Sequence, residues 1–173
     1  MKATSLLESQ HRKVEALFKK LESGRSDPTT VLEELANSLA AHMAIEQEIF
    51  YPRVKEVEAD LVNESFEEHA VAELALKRLL MTDHEEEAFQ ARLTTLQELI
   101  EHHVQEEEQE LFPKVEKALE EDDLAQLGKQ MKARFDEVFA AGFAAAVPKG
   151  MAKTSADVAR KETTRRKSSR SAA

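Results

Sequence analysis

Apolar residues recur every three to four positions through most of the chain, the spacing that lines one face of an α-helix. From Thr4 to Ser23 the stripe reads Leu7, His11, Val14, Phe18 and Leu21, and Gly24-Arg25-Ser26-Asp27-Pro28 ends it. Asp27 is a predicted N-cap, with Pro28 opening a second helix whose inner face carries Leu32, Leu35, Leu39, His42, Glu46 and Ile49. Pro52 is expected to end or kink that helix near Tyr51, with helical residues continuing over 53–58. A third stripe begins near Leu61 and runs through Val62, Phe66, His69, Glu73, Leu76 and Leu80. Thr82-Asp83 predicts the cap of a fourth helix, bearing Phe89, Leu93, Leu96, Ile100, His103 and Glu107 and interrupted at Pro113. A fifth, about Asp122 to Phe139, has Leu124, Leu127, Met131, Phe135 and Phe139 in phase. Short connections make neighbouring helices antiparallel. The fold expected is all-α: an up-down-up-down four-helix bundle over residues 1–145 with a short additional C-terminal helix.

Composition agrees with this pattern. Gly and Pro number four each, and strong helix formers dominate. The chain has no cysteine, which excludes disulfides, thiolate ligands and a cysteine nucleophile. The first twenty residues lack an apolar core for a signal peptide, and no stretch is long and apolar enough to span a bilayer, so a cytoplasmic location away from membranes is expected. The formal net charge is −10. Residues 148–173 hold eight Lys and Arg against Asp157 and Glu162, so a basic end of about +6 follows a body of about −16. The acidic body argues against nucleic acid as the folded domain's partner. Residues 146–173 read as a disordered basic tail. That tail is expected to be passive or to fold back on the body; nucleic acid or an acidic protein is its weaker alternative partner, and it offers no aromatic residue to stack on bases.

The stripes contain residues that do not belong in an apolar core. His11, His42, Glu46, His69, His103 and Glu107 occupy positions where the period calls for leucine. One core-facing histidine reads as a structural side chain bonded to its neighbours, and one His-x-x-x-Glu pair is common on charged helices. Here, however, the pattern repeats. His42-x-x-x-Glu46 and His103-x-x-x-Glu107 are each followed by a proline six residues after the glutamate, and each is preceded by a helix with a lone stripe histidine. Two similar hairpins would bring four imidazoles and two carboxylates to one level. Buried carboxylates need a compensating charge. A dinuclear cation supplies it, and imidazole with carboxylate suits iron, manganese or zinc. Glu73, one turn after His69, faces inward as either a further ligand or an acceptor for an imidazole N–H. Glu15 has the same spacing from His11 but lies at the edge of its stripe; His84 and His102 fall outside the pattern. Tyr51 reads first as packing at a helix end, with a donor or ligand role as the alternative.

Gln10-His11-x-x-Val14, His42-x-x-x-Glu46 with Phe50-Tyr51-Pro52, Glu68-His69, and His103-x-x-x-Glu107 with Phe112-Pro113 together resemble the hemerythrin-like HHE cation-binding domain over about residues 3–140. The resemblance implies a bundle holding two non-haem iron ions, carboxylate-bridged, on His11, His42, Glu46, His69, His103 and Glu107. Oxygen-carrying hemerythrins have a fifth histidine one turn after the His69 equivalent, where this chain has Glu73. A carboxylate there implies more oxidised irons and argues against simple reversible oxygen carriage. The function expected is binding or sensing of a small ligand (O₂, NO or peroxide), or iron handling. The alternative is a catalase- or peroxidase-like enzyme in oxidative or nitrosative stress defence, and a metal-free structural bundle is the plain reading.

Overall fold

The computed structural model describes residues 1–146, which are helical with no strand among them. The basic segment, its expected disorder and its suggested partners therefore lie outside the described residues. Two long hairpins form the bundle: α1 (Ala3–Ser23) with α2 (Pro28–Ile45), and α4 (Ala59–Leu80) with α5 (Glu87–Glu106). Among the described residues, no helix is long and apolar enough to cross a membrane.

Local chemistry sets most of the boundaries. Gly24 closes α1 in the left-handed region (φ 62°), where a side chain would be strained. Asp27 caps α2 by accepting from the Thr30 N–H at 2.9 Å, with Pro28 at the first turn, as its sequence predicts. Asp83 does not cap α5. It accepts from the Glu85 N–H at 3.0 Å, and its own N–H donates to the Glu86 carboxylate at 3.1 Å. These bonds close a separate turn, so helical bonding resumes only at Glu87.

The prolines do not end their helices. After α2 the chain makes a five-residue π turn (Glu46–Phe50) and runs on as α3 (Tyr51–Val54). After α5 the same happens: a π turn (Glu107–Leu111), then α6 (Phe112–Ala118). In an α-helix the ring of Pro52 would strike the Glu48 carbonyl, and that of Pro113 the Gln109 carbonyl. The wider turn ahead of each proline relieves that clash, and the helix continues, to Val54 within the expected continuation after Pro52 and to Ala118 past the expected interruption at Pro113.

The fifth long helix, α7 (Glu121–Ala141), extends beyond both expected ends and is as long as α1, 21 residues each. It lies across α1 and α2, and α8 (Phe143–Ala146) lies on α2 and α7. The chain start crosses α7 at Gly128, where a β-carbon would come within 2.5 Å of the Met1 carbonyl oxygen. Only glycine admits that approach.

The core is split into two apolar slabs. One holds Phe18, Leu35, Leu39, Leu76, Leu93, Leu96 and Ile100. The other holds Leu7, Ile45, Phe50, Tyr51, Val62, Leu111 and Phe112. Each buried Leu, Ile or Phe contributes about 1.5–3 kcal/mol. On every helix of the two hairpins the ionisable stripe residues fall where one slab gives way to the other.

Candidate metal centre

His11, His42, Glu46, His69, His103 and Glu107 meet in the layer between the slabs, and none is more than 4 % exposed. The imidazoles form two pairs. His11 Nε2 and His42 Nε2 are 3.2 Å apart; His69 Nε2 and His103 Nε2 are 3.0 Å apart. The glutamates span the pairs. Glu46 Oε2 lies 3.2 Å from His42 Nε2 and 3.4 Å from His69 Nε2. Glu107 Oε2 lies 3.4 Å from His11 Nε2 and 3.7 Å from His103 Nε2.

Each histidine is oriented through its outer nitrogen. His11 Nδ1 is 2.8 Å from Glu108 Oε1, His42 Nδ1 2.8 Å from Gln10 Oε1, and His103 Nδ1 2.7 Å from Glu68 Oε2. His69 Nδ1 is 3.2 Å from Gln47 Nε2; a half-turn of that amide presents its oxygen to the ring N–H instead. An Nδ1–H held this way leaves Nε2 with a free lone pair aimed at the centre. The partners follow a rule. Gln10 adjoins His11 but serves His42; Gln47 adjoins Glu46 but serves His69. Glu68 adjoins His69 but serves His103; Glu108 adjoins Glu107 but serves His11. Every helix thus orients the histidine of the next, and the series closes around the bundle. These partners sit one position off the apolar stripe, so periodicity does not mark them; the repeated placement of a polar residue beside each ligand is the signal that could.

The π turns coincide with the two glutamates. The Tyr51 N–H bonds the Glu46 carbonyl, and the Phe112 N–H bonds the Glu107 carbonyl, each spanning five residues. Such turns often mark functional positions. Tyr51 is fully buried, and its hydroxyl donates to Glu107 Oε1 at 3.0 Å and lies 3.2 Å from His69 Nε2. It is therefore part of the centre, and the helix-end packing expected first is only half of its role.

Burial raises the Glu46 carboxyl well above the usual range, and the neighbouring Glu107 charge adds to it. Burial also pushes Glu107 up, but the imidazoles of His103 and His11 outweigh it and hold it ionised. His42 and His69 are lowered by burial and by the other imidazoles. His103 is lowered by burial but raised more strongly by Glu107 and Glu68, for a net rise.

The donor set fits a pair of cations. With metal–nitrogen distances of about 2.1 Å, two imidazoles on adjacent corners stand about 3 Å apart. Both Glu46 oxygens and Glu107 Oε2 are buried without a hydrogen-bond donor, an expensive state unless a cation faces them. The His11, His42, Glu46 and Glu107 ligand atoms gather closely enough to share an ion, as do those of Glu46, His69 and His103.

The remaining sequence candidates lie elsewhere. Glu73 is ion-paired with Lys77 at 2.5 Å and is not among the gathered ligand atoms. Glu15 pairs with Lys19 on the surface. His84 and His102 are exposed.

Residues 2–115 match the hemerythrin HHE cation-binding domain, and the chain belongs to that family. A hemerythrin HHE cation-binding domain-containing protein from Mycobacterium kansasii has the same fold. Its TM-score is 0.72 at 23 % identity, covering 82 % of this chain and 89 % of that one. A protein of Nostoc sp. strain PCC 7120 described as a DNA nickase is 27 % identical over 138 residues. That alignment takes in 77 % of this chain but only 39 % of the relative.

Proposed function

We propose that this bundle holds two iron ions, one on each imidazole pair, bridged by Glu46 and Glu107, and that it binds or senses a small ligand of the O₂, NO or peroxide class. Such ions would supply a redox-active coordination position for that ligand. The observation that carries this reading is the pairing itself: two Nε2 pairs at 3.2 and 3.0 Å, spanned by carboxylates whose oxygens lack donors. Beside the four histidines is a closed pocket of about 10 Å³, room for about one water-sized molecule, walled by Val14, Leu39, Met43, Ile100 and Val104. Its apolar walls limit the ligand to a few atoms and exclude bulk water.

Turnover of peroxide is the second reading, favoured by Tyr51. Its hydroxyl is a hydrogen-bond donor held inside the centre, bonded to Glu107. Glu73, engaged by Lys77, lends this alternative no direct contact with the centre.

Anaerobic reconstitution with ferrous iron, followed by metal analysis and visible spectra, tests both readings. Two irons per chain are expected, with spectral changes on adding NO or air. A chain that binds no iron overturns the proposal. Sustained oxygen release from added peroxide would select the enzyme over the sensor.

A further inference from the structure

A groove of about 310 Å³ runs between α1 and α5, and His11, Val14, Ile100 and Val104 form part of its lining. The same four side chains line the closed pocket beside the histidines. One layer of side chains therefore stands between solvent and the metal centre on this face. Two other grooves share no residue with the pocket. One of about 340 Å³ lies between α4 and α5 over Ala75 and Ala91, and one of about 530 Å³ lies at the far end around Leu32, Leu80 and Phe89.

We propose that the α1–α5 groove is the access route to the centre, with Val14, Ile100 and Val104 as its neck, and that it admits neutral small molecules while rejecting ions. This rests on the small-ligand reading above. Val14 and Ile100 are buried and Val104 is half-buried, so Val104 is the side chain whose motion opens the neck. Rotamer changes of such side chains are fast on the scale of ligand binding. Apart from the His11 imidazole, the side chains shared by groove and pocket are apolar, so an ion passing between them would lose most of its hydration without replacement. At the mouth, Arg12 bonds Glu108, with Glu15 and Glu101 beside it. That arginine is already neutralised and does not gather anions. O₂, NO and undissociated hydrogen peroxide fit this filter; superoxide and nitrite do not.

The test uses Val104→Phe, Val104→Ala and, as a control in the α4–α5 groove, Ala91→Phe. Iron content is measured on each variant, and NO association with the ferrous protein is followed by stopped flow. Val104→Phe is expected to slow association by about tenfold or more, a barrier rise of about 1.4 kcal/mol. Val104→Ala should speed it, and Ala91→Phe should match the parent. Equal rates for the two phenylalanine variants at full iron content overturn the route. If Val104→Phe loses iron or fails to fold, an unchanged rate in Val104→Ala overturns it instead. Methyl NMR of the metal-free full chain under xenon pressure gives a readout independent of iron. Shifts at Val14, Ile100 and Val104, suppressed in Val104→Phe, support the neck; no response at these methyls overturns it even if iron binding succeeds.

Discussion

The two hairpins are copies in outline but differ in the charge they bring to the centre. The first places Gln10 and Gln47 behind its neighbours' histidines and contributes Tyr51 to the centre. The second places Glu68 and Glu108 in the matching positions, and its counterpart of Tyr51 is Phe112, whose ring lies parallel to His11 with centroids 6.0 Å apart. The bridging carboxylates differ likewise. Glu107, from the second hairpin, has a donor in Tyr51 and is held ionised, whereas both Glu46 oxygens lack one. Each imidazole pair thus contains one ring backed by an amide and one backed by a carboxylate. A nearly symmetric fold has been given two unequal halves by residues beside the ligands, with the ligands themselves unchanged.

The sharpest way to break this comparison is to replace the two buried glutamates, one at a time, in metal-free protein. Glu107→Gln should cost about 3–5 kcal/mol, because it removes the buried carboxylate charge that the surrounding imidazoles hold ionised. Glu46→Gln should cost little and should stabilise the protein above neutral pH. The sign follows from the raised Glu46 value: its contribution is present at low pH and is lost as pH rises through the folded pKa, where a buried carboxylate must ionise. Chemical denaturation at pH 7.5 measures both, and equal losses would erase the distinction.

The backing residues should sharpen the comparison at a smaller scale. Glu68→Gln and Glu108→Gln should each weaken metal binding by about 10–100-fold, read by competition with a chelator, because the imidazoles they back become poorer donors. Gln10→Glu should strengthen it. A Glu68→Gln protein with unchanged affinity would reduce that carboxylate to a structural contact.

The smallest effect is in the imidazole titrations. His42 and His69, both backed by amides, have lowered values, so metal-free protein loses stability as pH falls below the unfolded histidine value near 6.5. Each contributes a slope of up to about 1.4 kcal/mol per pH unit. His103, backed by Glu68, is raised and acts oppositely: its contribution is present below that value and lost as pH rises through its folded pKa. NMR titration of the ring protons should find His103 protonating first, and His42 protonating before it would contradict the assignment of charge to the second hairpin.

The buried cluster of four histidines and two glutamates was legible because most ionisable residues at leucine positions of a helix stripe point inward, and the repeat supplied the rest. The fold was readable from the same period. What escaped that reading depends on contacts between helices. Gln10 and Glu68 each act on the helix that follows, which no spacing along one helix reveals. Glu73 lies on the inner stripe by count, yet Lys77 one turn on draws its carboxylate into an ion pair. Helix beyond Pro52 was expected, but the wide turns that carry the chain past Pro52 and Pro113 were hidden, because a proline alone reads as an end or a kink.

Those two wide turns have a further consequence. In a regular α-helix, five residues advance about 500°, which would leave Tyr51 about 140° around the axis from Glu46. In the π turn, five residues come round to the same side, so ligand and phenol face one point. Deleting one residue between Glu46 and Tyr51 would let the wide turn close as an ordinary α turn, in which four residues advance about 400° and keep Tyr51 within about 40° of Glu46. Tyr51 would stay on the side of the centre, but the ring of Pro52 would again meet the carbonyl four residues before it. The extra residue over 47–50 therefore serves the proline: it widens the turn so that the helix passes Pro52 while Tyr51 keeps facing the centre.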